Sequence, residues 1–487
     1  MDELTEKGVV ELAALISQKK VSPVEVVRAH IEKIEAVNGY LNAVVIKRYE
    51  EALEEAKAAE NQVYHDKPRG ALCGIPVTVK ESISIKGSPN TFGSLYRKNN
   101  IATHDALIVQ QIKKAGVIIV GITNTPECNF WVECYNKVYG RTSNPYNTAR
   151  IPGGSSGGEA AIIGAGGVPF GIGSDIAGSI RMPAAFCGVF GLRPTSRLVS
   201  VQGHALFEED KPQESEKMKT ALVIGPMTRK AVDLLPVMEA MSKEGSKQKF
   251  DAMPPTERPS RNWADVTVYV FPDPKIKFAS SVSSDIKHTV LETAEIFKER
   301  GAEIKLVEQQ KLFYDAFDMW QSTLELSSKE TVNQIFTNGG EPALLKQFIL
   351  SIAGKNKITI PGLLMCLGER IFNLSSKRLK SYAEKAKKLG ERIAQTLSDP
   401  SIIIMPVYPT VAPRHNMPLL KPLDWSYTAI FNALDFPAIS IPCGLNKKGM
   451  PLGIQVIANK NMETILIDAA ILIEEEKGGW VKPPSAG

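Results

Sequence analysis

The sequence lacks most of the features that mark secreted, metal-binding and nucleotide-binding proteins. Its six cysteines, Cys73, Cys128, Cys134, Cys187, Cys366 and Cys443, form no C-x-x-C pair and have no histidine at zinc-ligand spacing. Neither a disulfide framework nor a metal site is expected, and the thiols read as buried and free in a reducing, intracellular compartment. No block of five or six like charges occurs, and the net charge is only +5 over 487 residues, which speaks against a nucleic-acid partner. The start, MDELTEKG, is acidic and lacks the basic-then-apolar order of a secretory signal. The longest strictly apolar run, Ala160 to Gly173, is rich in glycine and shorter than the roughly 18 residues a membrane span needs. Neither G-x-G-x-x-G after a strand nor G-x-x-x-x-G-K-[ST] is present, so phosphate and dinucleotide binding lose their main support and no cofactor is expected.

What the chain does have is an ordinary hydrophobic content of 43% and a charged content of 23%, enough for a large core. Val9, Leu12, Ala13 and Ile16 recur at helical spacing, and Ser22-Pro23-Val24-Glu25 matches a capping box with proline at the first helical position. A charged helix from Tyr49 to Glu60 completes a helical region over 1–60. The first strand expected is Ile75 to Lys80, followed by a helix over His104 to Ala115 stopped by Gly116, and a strand over Val117 to Val120. Strand Val266 to Phe271, helix Ser284 to Arg300 and strand Ala302 to Val307 form a further βαβ-like unit. Polar, Pro-containing stretches at 208–219 and 243–261 read as surface loops. A charged helix over Glu369 to Leu397 precedes strands Ile402 to Val407, Ala438 to Pro442 and Gly453 to Ala458 and a last helix, Met462 to Glu476. This alternation predicts an α/β/α sandwich in one domain over 1–487, with both faces of the sheet covered. Apolar residues are dense over Asp315 to Leu367, including Phe317, Trp320, Leu324, Ile335, Phe348, Ile349 and Ile352, interrupted by Lys346, Lys355 and Lys357. A packed helical subregion over 315–398 is the plain reading; an acyl-chain tunnel or a membrane-facing cap is the functional one.

Two Gly/Ser clusters, Gly153-Gly154-Ser155-Ser156-Gly157-Gly158 and Asp175-Ile176-Ala177-Gly178-Ser179, flank an apolar span with no charge after Glu159. Glycine lets several N–H groups converge on one point, and the apolar flanks make these buried turns rather than linkers. Ser155 and Ser156 both satisfy G-x-S-x-G, but that pattern needs a downstream histidine. His204 and His288 lie in stretches that read as loop or exposed helix, and His415 sits in a proline-rich run; a surface position is the default for all three. A serine can instead be activated by a lysine, and Lys80, ending an apolar strand, is the lysine best placed for desolvation.

The motifs Val-Thr-Val-Lys at Val77 to Lys80, GGSSGG at Gly153 to Gly158 and Ser-Asp-Ile-Ala-Gly-Ser-Ile-Arg at Ser174 to Arg181, in that order, resemble the amidase signature family. Separations of 75 residues from Lys80 to Ser155 and 24 from Ser155 to Ser179 agree with it. Asn136 to Tyr146, Pro409 to His415, Gly449 to Val456 and Gly478 to Trp480 resemble its fatty-acid amide hydrolase branch. The resemblance implies one large mixed, mostly parallel sheet flanked by helices, with a catalytic core over 75–205. It implies Lys80 as base, Ser155 as relay and Ser179 as nucleophile. The oxyanion donors would be the N–H groups of Ile176, Ala177, Gly178 and Ser179, and Ser156, Asp175 and Arg181 would support the loops. The activity implied is amide hydrolysis through an acyl-enzyme, on fatty-acid amides, by a homodimer; a short or aromatic amide, or the glutaminase-type subunit of a tRNA amidotransferase, is the alternative. Any membrane contact would be peripheral, since the membrane segment expected at the start of that branch is not found. Ala177 stands where the family has glycine, and a positive φ there would cost roughly 1 kcal/mol or more. The Pro194 to Arg197 turn likewise lacks a glycine the family commonly has.

Overall fold

A computed structural model describes residues 2–207, 218–242, 250, 260–307, 311–371, 374–397 and 400–484. The polar stretches at 208–219 and 243–261 fall for most of their length outside the described residues. Its centre is an 11-stranded sheet. The strand order is Val44–Lys47, Ile118–Thr123, Pro76–Lys80, Phe170–Asp175, Val223–Thr228, Phe190–Arg193, Ala438–Leu445, Pro451–Ile457, Ser401–Pro406, Thr267–Val270 and Glu303–Leu306. The expected large mixed sheet flanked by helices is present, but its weighting is not mostly parallel. Six of its ten pairings are antiparallel and four parallel. The parallel pairs lie where helical connections cross over, at Pro76–Lys80 with its two neighbours and at Thr267–Val270 with its two.

Period-two alternation shows both faces covered in the half of the sheet nearer the C-terminus. Val268, Val270, Ile402, Ile404, Ile439 and Val456 join one core with helices Ser284–Glu299 and Glu463–Lys477. Tyr269, Ile403, Met405, Ala438 and Ile457 face a second core with Ala316–Glu325, Ser376–Thr396 and Ser426–Leu434. The capping box forms as read: Ser22 Oγ accepts from the Glu25 N–H at 3.2 Å, and Glu25 Oε2 from the Ser22 N–H at 2.7 Å. Gly116 ends its helix at φ +91°, where a side chain would be strained.

Three local expectations change. Residues 1–60 are not wholly helical, because Val44–Lys47 forms an edge strand antiparallel to Ile118–Thr123. The helix expected over 369–397 is two: Ile360–Ile371 and Ser376–Thr396. The Pro194 to Arg197 turn adopts a left-handed residue without glycine, at Arg197 with φ +68°. All six cysteines are buried and free. No helix among the described residues is long and apolar enough to cross a membrane.

Candidate active site

Lys80 ends the buried strand Pro76–Lys80, whose alternation sends Val77 and Val79 into the core and Thr78 and Lys80 to the other face. There Lys80 Nζ lies 2.6 Å from Ser155 Oγ and 3.0 Å from Ser174 Oγ. The amine is wholly buried, and burial lowers it from its ordinary value to about 7, against the opposing pull of Cys134, Asp175 and Glu159. A neutral amine is therefore available near neutral pH, and only a neutral amine can accept a proton.

Ser155 follows a cis peptide bond from Gly154, and its carbonyl accepts from Thr125 Oγ1 at 3.1 Å. Gly154 has no room for a side chain, since a Cβ would stand 2.3 Å from the Trp131 carbonyl oxygen. Ser156 stitches the two clusters together: its N–H donates to the Ser179 carbonyl at 3.0 Å, and its Oγ donates to the Ser174 carbonyl at 3.2 Å. Ser179 is 6% exposed against 1% for Ser155, the more open of two buried serines. Among the described residues no hydrogen bond joins Ser155 Oγ to Ser179 Oγ; the structure brings Lys80 and Ser155 into contact and sets Ser179 beside them through the backbone.

The second loop has its carbonyls tied back. Those of Ile176, Ala177, Gly178 and Ser179 accept from Trp320 Nε1 at 2.8 Å, Thr428 Oγ1 at 2.7 Å, the Met182 N–H at 2.8 Å and the Ser156 N–H at 3.0 Å. Among the described residues the N–H groups of Ile176, Ala177 and Ser179 have no acceptor. Gly178 departs from expectation, because its N–H donates to Asp175 Oδ1 at 2.7 Å, so three donors remain rather than four. Its glycine serves shape: φ is +115° and a Cβ would stand 2.0 Å from Thr428 Oγ1. Ala177 is not among the residues with positive φ, so the strain feared at its Cβ does not arise.

Asp175 and Arg181 anchor this loop to the body rather than to the first cluster. Arg181 Nε and Nη2 reach Asp175 at 3.1 and 3.2 Å, Nη1 reaches Gln455 Oε1 at 3.0 Å, and Nη2 reaches Asn432 Oδ1 at 2.6 Å. Burial works to raise Asp175, but the Arg181 charge, hydrogen bonds from Arg181 and Asn432, and Arg193 outweigh it and hold the carboxyl well below its usual range.

Two residues near the site escaped the sequence reading. Glu159 is fully buried and accepts from Thr78 Oγ1 at 2.6 Å and Thr123 Oγ1 at 2.8 Å; burial raises it to about 8 against those bonds and Lys80. His204 is not at the surface: it is wholly buried, with Nε2 3.2 Å from Ser174 Oγ. His288 stays exposed, pairing with Glu292 at 3.0 Å, and His415 bonds Glu133 Oε1 at 2.8 Å and the Thr148 carbonyl at 3.0 Å. Among the described residues no cluster of three acidic, histidine or cysteine side chains could hold a metal.

The family model Amidase matches residues 25–467. Fatty-acid amide hydrolase 2 of Homo sapiens is 34% identical, with 97% of this chain and 89% of that protein covered. One subunit of the glutamyl-tRNA(Gln) amidotransferase of Thermoanaerobacter pseudethanolicus is 30% identical, with 100% and 99% covered. The solved 6-aminohexanoate cyclic dimer hydrolase, complexed with substrate, superposes at a TM-score of 0.77 and 22% identity, covering 99% of each chain.

Proposed function

The chain belongs to the amidase family, and on that premise we propose that it hydrolyses N-acyl amides with an apolar acyl chain through an acyl-enzyme on Ser179. The observation that carries the reading is the buried Lys80 amine 2.6 Å from Ser155 Oγ, beside a loop with three unclaimed N–H donors. Neutral Lys80 takes the Ser155 proton, Ser155 takes that of Ser179, and Ser179 Oγ bonds to the amide carbonyl carbon. The oxyanion settles on the N–H groups of Ile176, Ala177 and Ser179, each such donor commonly worth about 3 kcal/mol. Breaking the C–N bond returns the proton through Ser155 to the leaving amine, and water then cleaves the ester.

The acyl preference rests on what adjoins this loop. The Ile176 side chain packs on a cluster containing Phe92, Phe130, Ile335, Phe336, Leu344 and Leu363, so helices of 315–398 present apolar side chains next to the donors, as a wall for an acyl chain would. The opposite side of the same subregion exposes Leu345, Ile349 and Ile352 at 76, 60 and 89%, spaced on one helical face with Lys346 and Lys355 nearby, which suits peripheral contact with a membrane surface. Fatty-acid amide hydrolase 2 is named for such a substrate. A fluorophosphonate should label the protein with the adduct on Ser179, and amides graded from acetyl to stearoyl should be cleaved faster as the chain lengthens. Best activity on acetyl amides or on glutamine would overturn the lipid reading, and an adduct elsewhere the nucleophile.

A further inference from the structure

Helix Ser376–Thr396 carries seven lysines and arginines against two acids, Glu384 and Glu391. That surplus of five equals the net charge of the whole 487-residue chain, so the rest of the protein is balanced and the excess is local. One side of the helix, Lys385, Lys388 and Arg392, lines a surface groove of about 960 Å³, and Lys275, Lys277 and Lys311 bring charge to it from two other segments. Among the described residues no carboxylate lines the groove. Asp273, Asp318 and Asp315, which pair with Lys275, Lys277 and Lys385, stand outside its lining, and Glu384 comes no nearer than 3.9 Å to Lys388. Like charges that converge repel one another, and a cleft of one sign focuses its field inward, so an anion in the groove relieves the arrangement.

An inorganic anion would use only the charged rim. The floor is apolar: Ile276 and Leu389 belong to the second core, and Leu312 packs against it. Phe278, 70% exposed, and the exposed Tyr314 stand at the edge. Lys277 Nζ lies 4.8 Å from the centre of the Phe278 ring, so charge and apolar surface are offered side by side. A volume of this size falls within the roughly 300–1,000 Å³ of small-molecule sites. The ligand that answers both surfaces has an anionic head and an apolar tail. None of the lining residues belongs to the loops of 151–193 or to the apolar cluster beside Ile176, which makes the groove a second site.

We propose that this groove binds a long-chain carboxylate, with its head among Lys275, Lys311 and Lys388 and its chain along Ile276, Leu312 and Phe278. A fatty acid is also what the hydrolysis proposed above would release; that source rests on the lipid reading, whereas the site itself does not. The test is binding to the full chain, titrated by calorimetry at low salt. Dodecanoate should bind about 10-fold or more tighter than octanoate, because its longer chain covers more of the floor. Dodecanol, which lacks the charge, should bind at least about 10-fold more weakly than dodecanoate. Lys275→Gln, Lys311→Gln and Lys388→Gln combined, one change from each segment, should weaken dodecanoate by at least about 10-fold. The melting temperature and the hydrolysis of a short amide should hold in that variant. A dodecanoate analogue with a diazirine at the chain end should crosslink to peptides containing Phe278, Leu312 or Leu389. Crosslinks confined to the cluster around Ile176 would overturn the proposal and give the acid to the catalytic site. Unchanged affinity in the triple variant would overturn it too, as would inorganic phosphate binding as tightly as dodecanoate, or binding to phosphatidylserine vesicles with none to free dodecanoate. A preference for acetyl amides would refute the lipid substrate and not this site, which the crosslink decides.

Discussion

The loops of 151–193 and the helices of 316–371 meet at Ile176, and they are built on opposite rules. On the loop side the carbonyls of Ile176 to Ser179 each have a named partner and Gly154 and Gly178 have no room for a side chain; on the helical side apolar residues form one buried cluster and one exposed face. Trp320 spans the two, its indole N–H on the Ile176 carbonyl. Chemistry demands particular atoms in particular places, whereas binding an alkyl chain demands only apolar volume. The reaction class is therefore written position by position, and the substrate only as a tendency of composition.

The contrast breaks first at Lys80. Lys80→Ala should reduce hydrolysis by roughly 10³- to 10⁴-fold, measured as kcat/KM on a preferred amide, while the fold survives because alanine buries no charge. In the native protein the rate should rise with pH through about 7, where burial places Lys80, and level off above it, since the protonated amine cannot accept. A rate independent of pH between 5 and 9 would refute the base.

A smaller but still large effect is expected at Asp175. Asp175→Asn leaves Arg181 buried with half its partner removed, which costs about 3–5 kcal/mol where such pairs are broken, read as a fall in urea midpoint at pH 7. Asp175 is held below its ordinary value, so its contribution to stability is complete above about pH 4 and is lost as the pH falls further, through the folded value. The variant should be less sensitive to acid over that range. An unchanged midpoint would mean the loop is held by something other than this pair.

What could be read in the sequence divides along the same line. The motifs that resemble the amidase signature lead one to expect Lys80 beside the first Gly/Ser cluster, and Lys80 Nζ does lie 2.6 Å from Ser155 Oγ. The bond from Gly178 to Asp175 was not legible, because it depends on where a carboxylate turns inside a five-residue loop. His204 was missed because a lone histidine in a polar stretch carries no periodicity; its burial comes from the bridge to Ile83, 121 positions earlier in the chain. Glu159 looked like the last charge before an apolar run, yet its partners Thr78 and Thr123 lie 81 and 36 positions away. Helix and strand alternation identified the sheet, while strand direction, set by which connections cross over, was misjudged.

The mildest effect is expected on the outer helical face, and it tests whether that side has a rule of its own. Leu345, Ile349 and Ile352 fall at i, i+4 and i+7 of helix Leu344–Ile352 and point away from the Phe336 cluster. Changing all three to serine removes apolar area that packs on nothing in the chain, so the melting temperature should hold. If the face rests on a membrane, inserting each side chain contributes on the order of 1 kcal/mol, less than the full burial value because insertion is shallow. Partition onto phosphatidylcholine vesicles, measured by co-sedimentation, should then weaken by about 10- to 100-fold, with hydrolysis of a short, water-soluble amide unchanged. Equal vesicle binding by the variant would remove the membrane from this face. A fall in mass by sedimentation velocity would give it to a second copy of the chain, and would make a dimer contact the feature that sets these helices apart from the loops.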